Sequence, residues 1–193
     1  MRITSGRFKG RALHTPPDRR TRPTSDKVRQ AVFNILVHGD VSAEFALDGA
    51  TVIDVFAGTG AMGLEAISRG AAYCLFVEEA AAARAIIRQN IEDFGLSGVT
   101  KIWRRDGTAL GPRPPGAGGP FTLAFLDPPY RRGLLIPGLR ALAEGDWLSR
   151  NAIVVCEAAH DEEIELLMGF EPLDVRLYGE SKIFILRYRA EMS

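Results

Sequence analysis

The ten residues Asp54-Val55-Phe56-Ala57-Gly58-Thr59-Gly60-Ala61-Met62-Gly63 restrict the possible folds more than any other stretch of the chain. They follow the short apolar run Thr51-Val52-Ile53, which reads as a buried strand, and lead into Leu64-Glu65-Ala66-Ile67, which reads as a helix. Gly58, Gly60 and Gly63 keep the G-x-G-x-x-G spacing that lets a backbone turn tightly, approach a ligand and pack a helix on a sheet. That spacing fits two ligands: the pyrophosphate of a dinucleotide facing the helix N-terminus, or an adenosyl group joined to a methionine. Asp54 favours the second, because a carboxylate just before the glycines repels a pyrophosphate and suits an ammonium group. S-adenosylmethionine is therefore the expected cofactor. Asp54, Phe56, Ala57, Gly58, Thr59 and Gly60 are its expected cradle.

Beyond the glycines, strand and helix patterns alternate, which predicts an α/β domain with a mostly parallel sheet. Ala72 to Val77 reads as the second strand and ends in Glu78-Glu79. An acidic residue at that strand end, about twenty positions past the glycine turn, is where a ribose diol would be held, and Glu78 takes the role. Glu79 reads as a first-turn charge of a helix from Ala80 to Phe94, ended by Gly95. A third strand, Thr100 to Arg104, leads to Asp106-Gly107, which would border the adenine. The Pro/Gly-rich stretch Gly111 to Pro120 has no periodicity and reads as a mobile surface connector. Later come strands Phe121 to Leu126 and Ala152 to Cys156, the latter ending at Glu157, with a helix to about Glu144 between them. A short helix is expected around Glu162 to Met168. The runs Leu173 to Tyr178 and Lys182 to Tyr188 read as an antiparallel pair at the sheet edge.

The fourth strand delivers Asp127-Pro128-Pro129-Tyr130 to the carboxyl end of the sheet, where open α/β folds bind ligands. Two consecutive prolines remove two N–H donors, so carbonyls and one carboxylate line the pocket as acceptors. Such a site suits a group with two N–H donors, such as a nucleobase amine. Asp127 and the Pro128 carbonyl would each accept one hydrogen, Pro129 would stiffen the turn, and Tyr130 would stack on the flipped base. No metal is expected, since His14, His38, His160 and the two cysteines show no ligand spacing.

The chain has 193 residues and zero formal net charge, but the charge is uneven: nine Lys and Arg face only Asp18 and Asp26 in the first thirty positions. Residues 1–22 read as a basic hairpin or arm, and residues 23–193 as the catalytic domain. The arm contributes Arg2, Arg7, Lys9, Arg11 and Arg22 as expected RNA contacts; Arg29, Arg131 and Arg132 are further candidates. Thr24 or Ser25 would cap a helix through Leu36 whose stripe Val28, Val32, Phe33, Ile35 and Leu36 packs into the core. On this reading a chain starting near Arg22 should still fold and bind its cofactor. Cys74 and Cys156 lie inside apolar runs as free thiols, and with no run long enough to span a bilayer the expected compartment is the cytoplasm.

The whole pattern resembles the bacterial 16S ribosomal RNA guanine-N2 methyltransferases, over nearly the full length. It rests on Arg2-Ile3 with Gly6 and Gly10-Arg11, and on Arg22-Pro23-Thr24 with Val28-Arg29 and Phe33-Asn34. It also rests on Phe56 to Ala61 with Gly63-Leu64-Glu65-Ala66 and Ser68-Arg69, and on Asp127-Pro128-Pro129-Tyr130. The resemblance implies a Rossmann-like, seven-stranded class I methyltransferase fold, S-adenosylmethionine as donor, and a monomer acting on 16S RNA in a partly or fully assembled small subunit. Gln30 stands where an acidic residue is usual, and the Gly111 to Pro120 loop is longer than typical. A DNA adenine or cytosine amino-methyltransferase is the alternative, but it would call for a target-recognition domain that a chain of this length has no room for. A dinucleotide oxidoreductase is disfavoured by Asp54, and a non-enzymatic RNA-binding module would not need Asp127.

Overall fold

Seven strands form one sheet in the order β3-β2-β1-β4-β5-β7-β6 in the computed structural model, which describes residues 1–16 and 26–189. The elements are α1 (Asp26–His38), β1 (Thr51–Val55), α2 (Ala61–Ser68), β2 (Tyr73–Val77), α3 (Ala81–Phe94), β3 (Thr100–Trp103), β4 (Phe121–Leu126), α4 (Leu135–Glu144), β5 (Leu148–Ala159), β6 (Phe170–Tyr178) and β7 (Ser181–Tyr188). Strands β1 to β5 pair in parallel, and β7 alone runs against both of its neighbours. The order reverses between β1 and β4, with Asp54 opposite Phe125 and Val55 opposite Leu126. That is the switch point at which such sheets open a crevice.

Both faces of the sheet are covered, so its inner strands carry near-continuous apolar runs instead of an alternation. Val52, Cys74, Phe76, Leu123 and Phe125 pack under α1, α2 and α3, while Ile53, Val55, Leu75, Ala124 and Leu126 pack against α4 and the 110–121 segment. A side chain at Gly63 would lie 2.5 Å from the Cys74 sulfur and from the Phe76 ring, so only glycine lets α2 lie this close to β2.

The first sixteen residues belong to the same core. A hairpin closed by Ile3 N to Arg11 O at 3.0 Å and Gly10 N to Ile3 O at 2.9 Å buries Ile3 and Leu13 beside Val28, Phe33 and Leu64. Glu65, fully buried on α2, accepts hydrogen bonds from the Thr4 amide (2.8 Å), the Thr4 hydroxyl (2.7 Å) and the Ser5 amide (3.0 Å). Burial alone would raise the Glu65 carboxyl; the Thr4 donors and Arg69 outweigh it and hold it below the ordinary range. This packing argues against a chain from Arg22 folding on its own.

Three expectations are corrected. Residues 162–168 form no helix: the stretch is acidic and short, and the Glu162 carboxylate is bonded to the amides of Ala159 and Arg131 instead of facing a helical turn. The Gly111 to Pro120 loop is not a loose connector, because Arg113 bonds the Asp146 and Gly118 carbonyls, Lys101 bonds the Gly116 carbonyl, and Ala117 is fully buried. Strand β5 starts at Leu148, where it pairs with Phe121, and not at Ala152. The expected helix cap at Thr24 or Ser25, and Arg22, lie outside the described residues.

Candidate active site

The carboxyl ends of β1, β2, β3 and β4 lie on one rim, so the turn after each brings its expected site residues to the same edge. The glycine loop is held from below and from the side. The Ala57 amide bonds Val77 O at 3.1 Å, the Gly60 amide bonds Ala57 O at 2.7 Å, and the Gly58 amide donates to Glu78 Oε2 at 2.9 Å. Phe56 has φ of 60°, a conformation side chains rarely adopt, and its ring lies where a Cβ on Gly107 would come within 2.6 Å. The ring of Phe56 thus locks the start of the loop against the turn after β3. Over Gly58 the space is open: a Cβ there would meet only the Phe56 carbonyl, at 4.0 Å. That opening, with a braced carboxylate beside it, fits an adenosyl cofactor.

Glu78 is half-buried and spans two elements, accepting from Gly58 N and, at 2.8 Å, from Ala80 N at the start of α3. Asp54 sits within β1, deeper than its expected role suggests. It is buried, and its Oδ2 accepts the Gly63 amide at 3.0 Å, so it tethers α2 to the central strand. Burial raises its carboxyl to about 8, against the lowering pull of the Gly63 amide and with a further push from Glu78. Asp106 is exposed and caps its own turn, accepting from the Thr108 amide and hydroxyl at 2.8 Å each. A cavity of about 380 Å³ beside it, lined by Thr108, Leu110, Pro137, Arg140 and Glu144, runs along α4 and includes no residue of the glycine loop.

Asp127 follows β4, and its amide points to Val55 O at 3.5 Å, placing it next to the end of β1. Pro128 is buried and Pro129 exposed. The Tyr130 hydroxyl donates to Glu157 Oε1 and lies 2.8 Å from Ser181 Oγ, which itself donates to Glu157 Oε1 at 2.7 Å. Burial, then the Glu157 carboxylate, pushes the Tyr130 hydroxyl well above its ordinary pKa. Glu157 and Ser181 had no assigned role in the sequence; the only signal was an acidic residue at the end of β5, and its partner lies 24 positions away.

The basic residues divide by environment. Arg7 and Lys9 are exposed at the hairpin tip, with Arg7 stacked 4.5 Å over the Phe8 ring. Arg2 and Arg11 are exposed but also brace the arm, bonding Gly10 O at 2.8 Å and Asp93 O at 2.6 Å. Arg131 is paired with Asp161 at 3.0 Å, and Arg132 is exposed. Arg29 is corrected: its side chain is fully buried, bonded to Glu65 at 3.2 Å and Asp26 at 2.8 Å, and cannot reach a phosphate. Nothing in the sequence signalled this, because its partner Glu65 is on another element.

Known proteins resemble this chain in sequence and fold. YlbH of Bacillus subtilis (strain 168) is 35% identical over 170 residues, 86% of this chain and 85% of that one. Ribosomal RNA small subunit methyltransferase D of Escherichia coli (strain K12) is 32% identical over 191 residues, 98% of this chain and 88% of that one. The solved structure of yhhF from Escherichia coli superposes with a TM-score of 0.81 at 27% identity over 99% of each chain. An RNA methyltransferase of Salinibacter ruber, solved with S-adenosyl-L-homocysteine, shares the fold at 16% identity, with a TM-score of 0.63 over 89% of this chain and 96% of that one. The family model described as "Conserved hypothetical protein 95" matches residues 1–187, and with the 32% identity to methyltransferase D this chain belongs to that family of methyltransferases.

Proposed function

We propose that this protein transfers a methyl group from S-adenosylmethionine to the exocyclic N2 amine of a guanine in 16S ribosomal RNA. The observation that carries the reading is the meeting, at the β1–β4 switch point, of a glycine loop braced by Glu78 and the Asp127 segment hydrogen-bonded to the end of β1. The relatives' names support ribosomal RNA as substrate. When bound, S-adenosylmethionine supplies a methyl group on an already activated sulfonium, so alignment supplies most of the acceleration. Glu78 would hold the ribose, and the backbone from Phe56 to Gly60 the methionine end. Asp127 and the Pro128 carbonyl accept the two N–H groups of the amine and aim its lone pair. Asp127 would also accept the proton that the amine must shed on methylation. Tyr130 contributes its ring face to the base and no proton, because its hydroxyl is committed to Glu157.

Arg7, Lys9 and Arg132 supply phosphate contacts, with Arg2 and Arg11 behind them and Arg131 recruited by exchanging Asp161 for phosphate. A surface pair of that kind holds weakly enough to be exchanged. Among the described residues no helix is long and apolar enough to cross a membrane. The protein acts as a monomer on small subunits in the cytoplasm. Incubation with labelled methyl donor and small subunits lacking the modification, followed by mass mapping of the RNA, tests the reading. Label confined to DNA or to protein would overturn it.

A further inference from the structure

Asn90 on α3 is fully buried, and it holds two separate parts of the molecule at once. Its Oδ1 accepts the His14 amide of the arm at 2.8 Å; its Nδ2 donates to the His14 carbonyl at 3.3 Å and to the Thr59 carbonyl at 3.2 Å. Thr59 stands between Gly58 and Gly60, whose φ angles are 56° and 77°. Flanking glycines let the backbone around that peptide plane turn easily, and from inside the loop only its amide end is tied, by Gly60 N to Ala57 O at 2.7 Å. Asn90 holds the carbonyl end of that plane from outside the loop, and the same amide group grips the arm. One helical turn on, the exposed Asp93 holds the His14 ring at 2.7 Å, and the Asp93 carbonyl takes Arg11 at 2.6 Å.

We infer that Asn90 is a positioning residue that couples the arm to the cofactor loop, so that a polyanion docked on the arm tightens cofactor binding and the cofactor in turn steadies the arm. The inference rests on the proposed reading of the glycine loop as the S-adenosylmethionine cradle. The path is short and continuous: arm backbone at His14, one buried amide, loop carbonyl at Thr59. Coupling through such a path must be equal in both directions. Removing the Asn90 amide leaves the Thr59 carbonyl and both backbone groups of His14 without it. A merely structural asparagine would lower stability and leave this exchange of information untouched.

The experiment uses the full-length protein and S-adenosylhomocysteine. Hydrogen exchange of the wild-type His14 amide is measured with and without the ligand, and calorimetry gives the ligand's affinity for wild type, Asn90→Ala and Asp93→Asn. The expected result is slower His14 exchange on binding, a loss of about tenfold in affinity for Asn90→Ala, and an affinity within about twofold of wild type for Asp93→Asn, which removes only the charge at the exposed ring contact. In Asn90→Ala the ligand should no longer slow His14. If that variant does not fold, the wild-type exchange measurement still decides. Binding of the ligand with no change at His14 overturns the coupling and leaves the cofactor reading intact. Failure of wild type to bind S-adenosylhomocysteine overturns the cofactor reading, and the coupling falls with it.

Discussion

Shortening Ile3 to alanine asks whether the basic arm is an appendage or a piece of the core. Ile3 is 2% exposed and packs in the cluster that contains Leu64 and Phe33, so truncation empties a site walled by α1 and α2. Ile→Ala at such a position costs about 2 to 5 kcal/mol, against the roughly 5 to 15 kcal/mol that holds a whole domain together. An arm lying on the surface would lose almost nothing, since surface substitutions stay within about 0.5 kcal/mol. Equilibrium urea unfolding separates the two. With a dependence of about 1 to 3 kcal/mol per molar urea, Ile3→Ala should lower the midpoint by about 0.7 M or more. Leu13→Ala, 6% exposed on the other limb of the hairpin, should behave alike. Midpoints within about 0.2 M of wild type for both variants would refute the argument and restore the arm as a detachable RNA-binding tail.

Other substitutions test the site and the basic residues around it. Asp54, raised to about 8 by burial, keeps its proton in the folded chain over a range where the unfolded chain has lost it, so its contribution to stability falls as pH rises from about 4 to 8. Asp54→Asn keeps an acceptor for Gly63 and should flatten that decline in melts taken across the range; an unchanged slope would show that Asp54 is not the titrating group. Glu78→Ala, which removes the brace on Gly58 and Ala80, should weaken S-adenosylhomocysteine about tenfold or more in calorimetry, since bonds to a charged group contribute about 1.5 to 3 kcal/mol. Asp127→Ala should cut turnover severely with cofactor affinity retained, while Glu157→Gln should lower turnover through a loosened Tyr130 ring; full activity in either would remove that residue from the mechanism. Arg29→Ala should destabilise the fold by about 3 to 5 kcal/mol, whereas Arg7→Ala and Lys9→Ala should leave it intact and flatten the salt dependence of RNA binding by about 0.7 to 0.9 per contact.

Much of this was legible in the sequence, and the reason differs from part to part. Strands β1, β2 and β4 announce themselves because both of their faces are buried, leaving unbroken apolar runs between turn residues. The glycine loop and the Asp127 turn are local chemistry, so spacing alone could put Glu78 at the end of the strand after the glycines, where its carboxylate accepts the Gly58 amide. What a linear reading missed depends on distant partners. Arg29 read as a candidate RNA contact until Glu65, 36 positions on, came to face it. Tyr130 could be assigned a ring but not an anchor, since Glu157 and Ser181 sit on other strands. The acidic run at 161–165 has some helical periodicity, yet two of its carboxylates are taken by Arg131.

The hairpin at the start of the chain also has a timing consequence. Its partners stand 61 residues away at Glu65, 76 at Asn90 and 82 at Asp93. A chain made from its N-terminus therefore exposes Ile3 and Leu13 first and can shelter them only after α2 and α3 have emerged. The hairpin is thus made well before its partners and placed late, and closing so long a loop must wait until the sheet offers enough contacts to hold it. During that interval the cationic stretch is free of its acidic anchors. Chains stalled before Phe94 should thus carry an undocked basic leader, and protease cutting between Arg2 and Arg11 should fade only once α3 is complete.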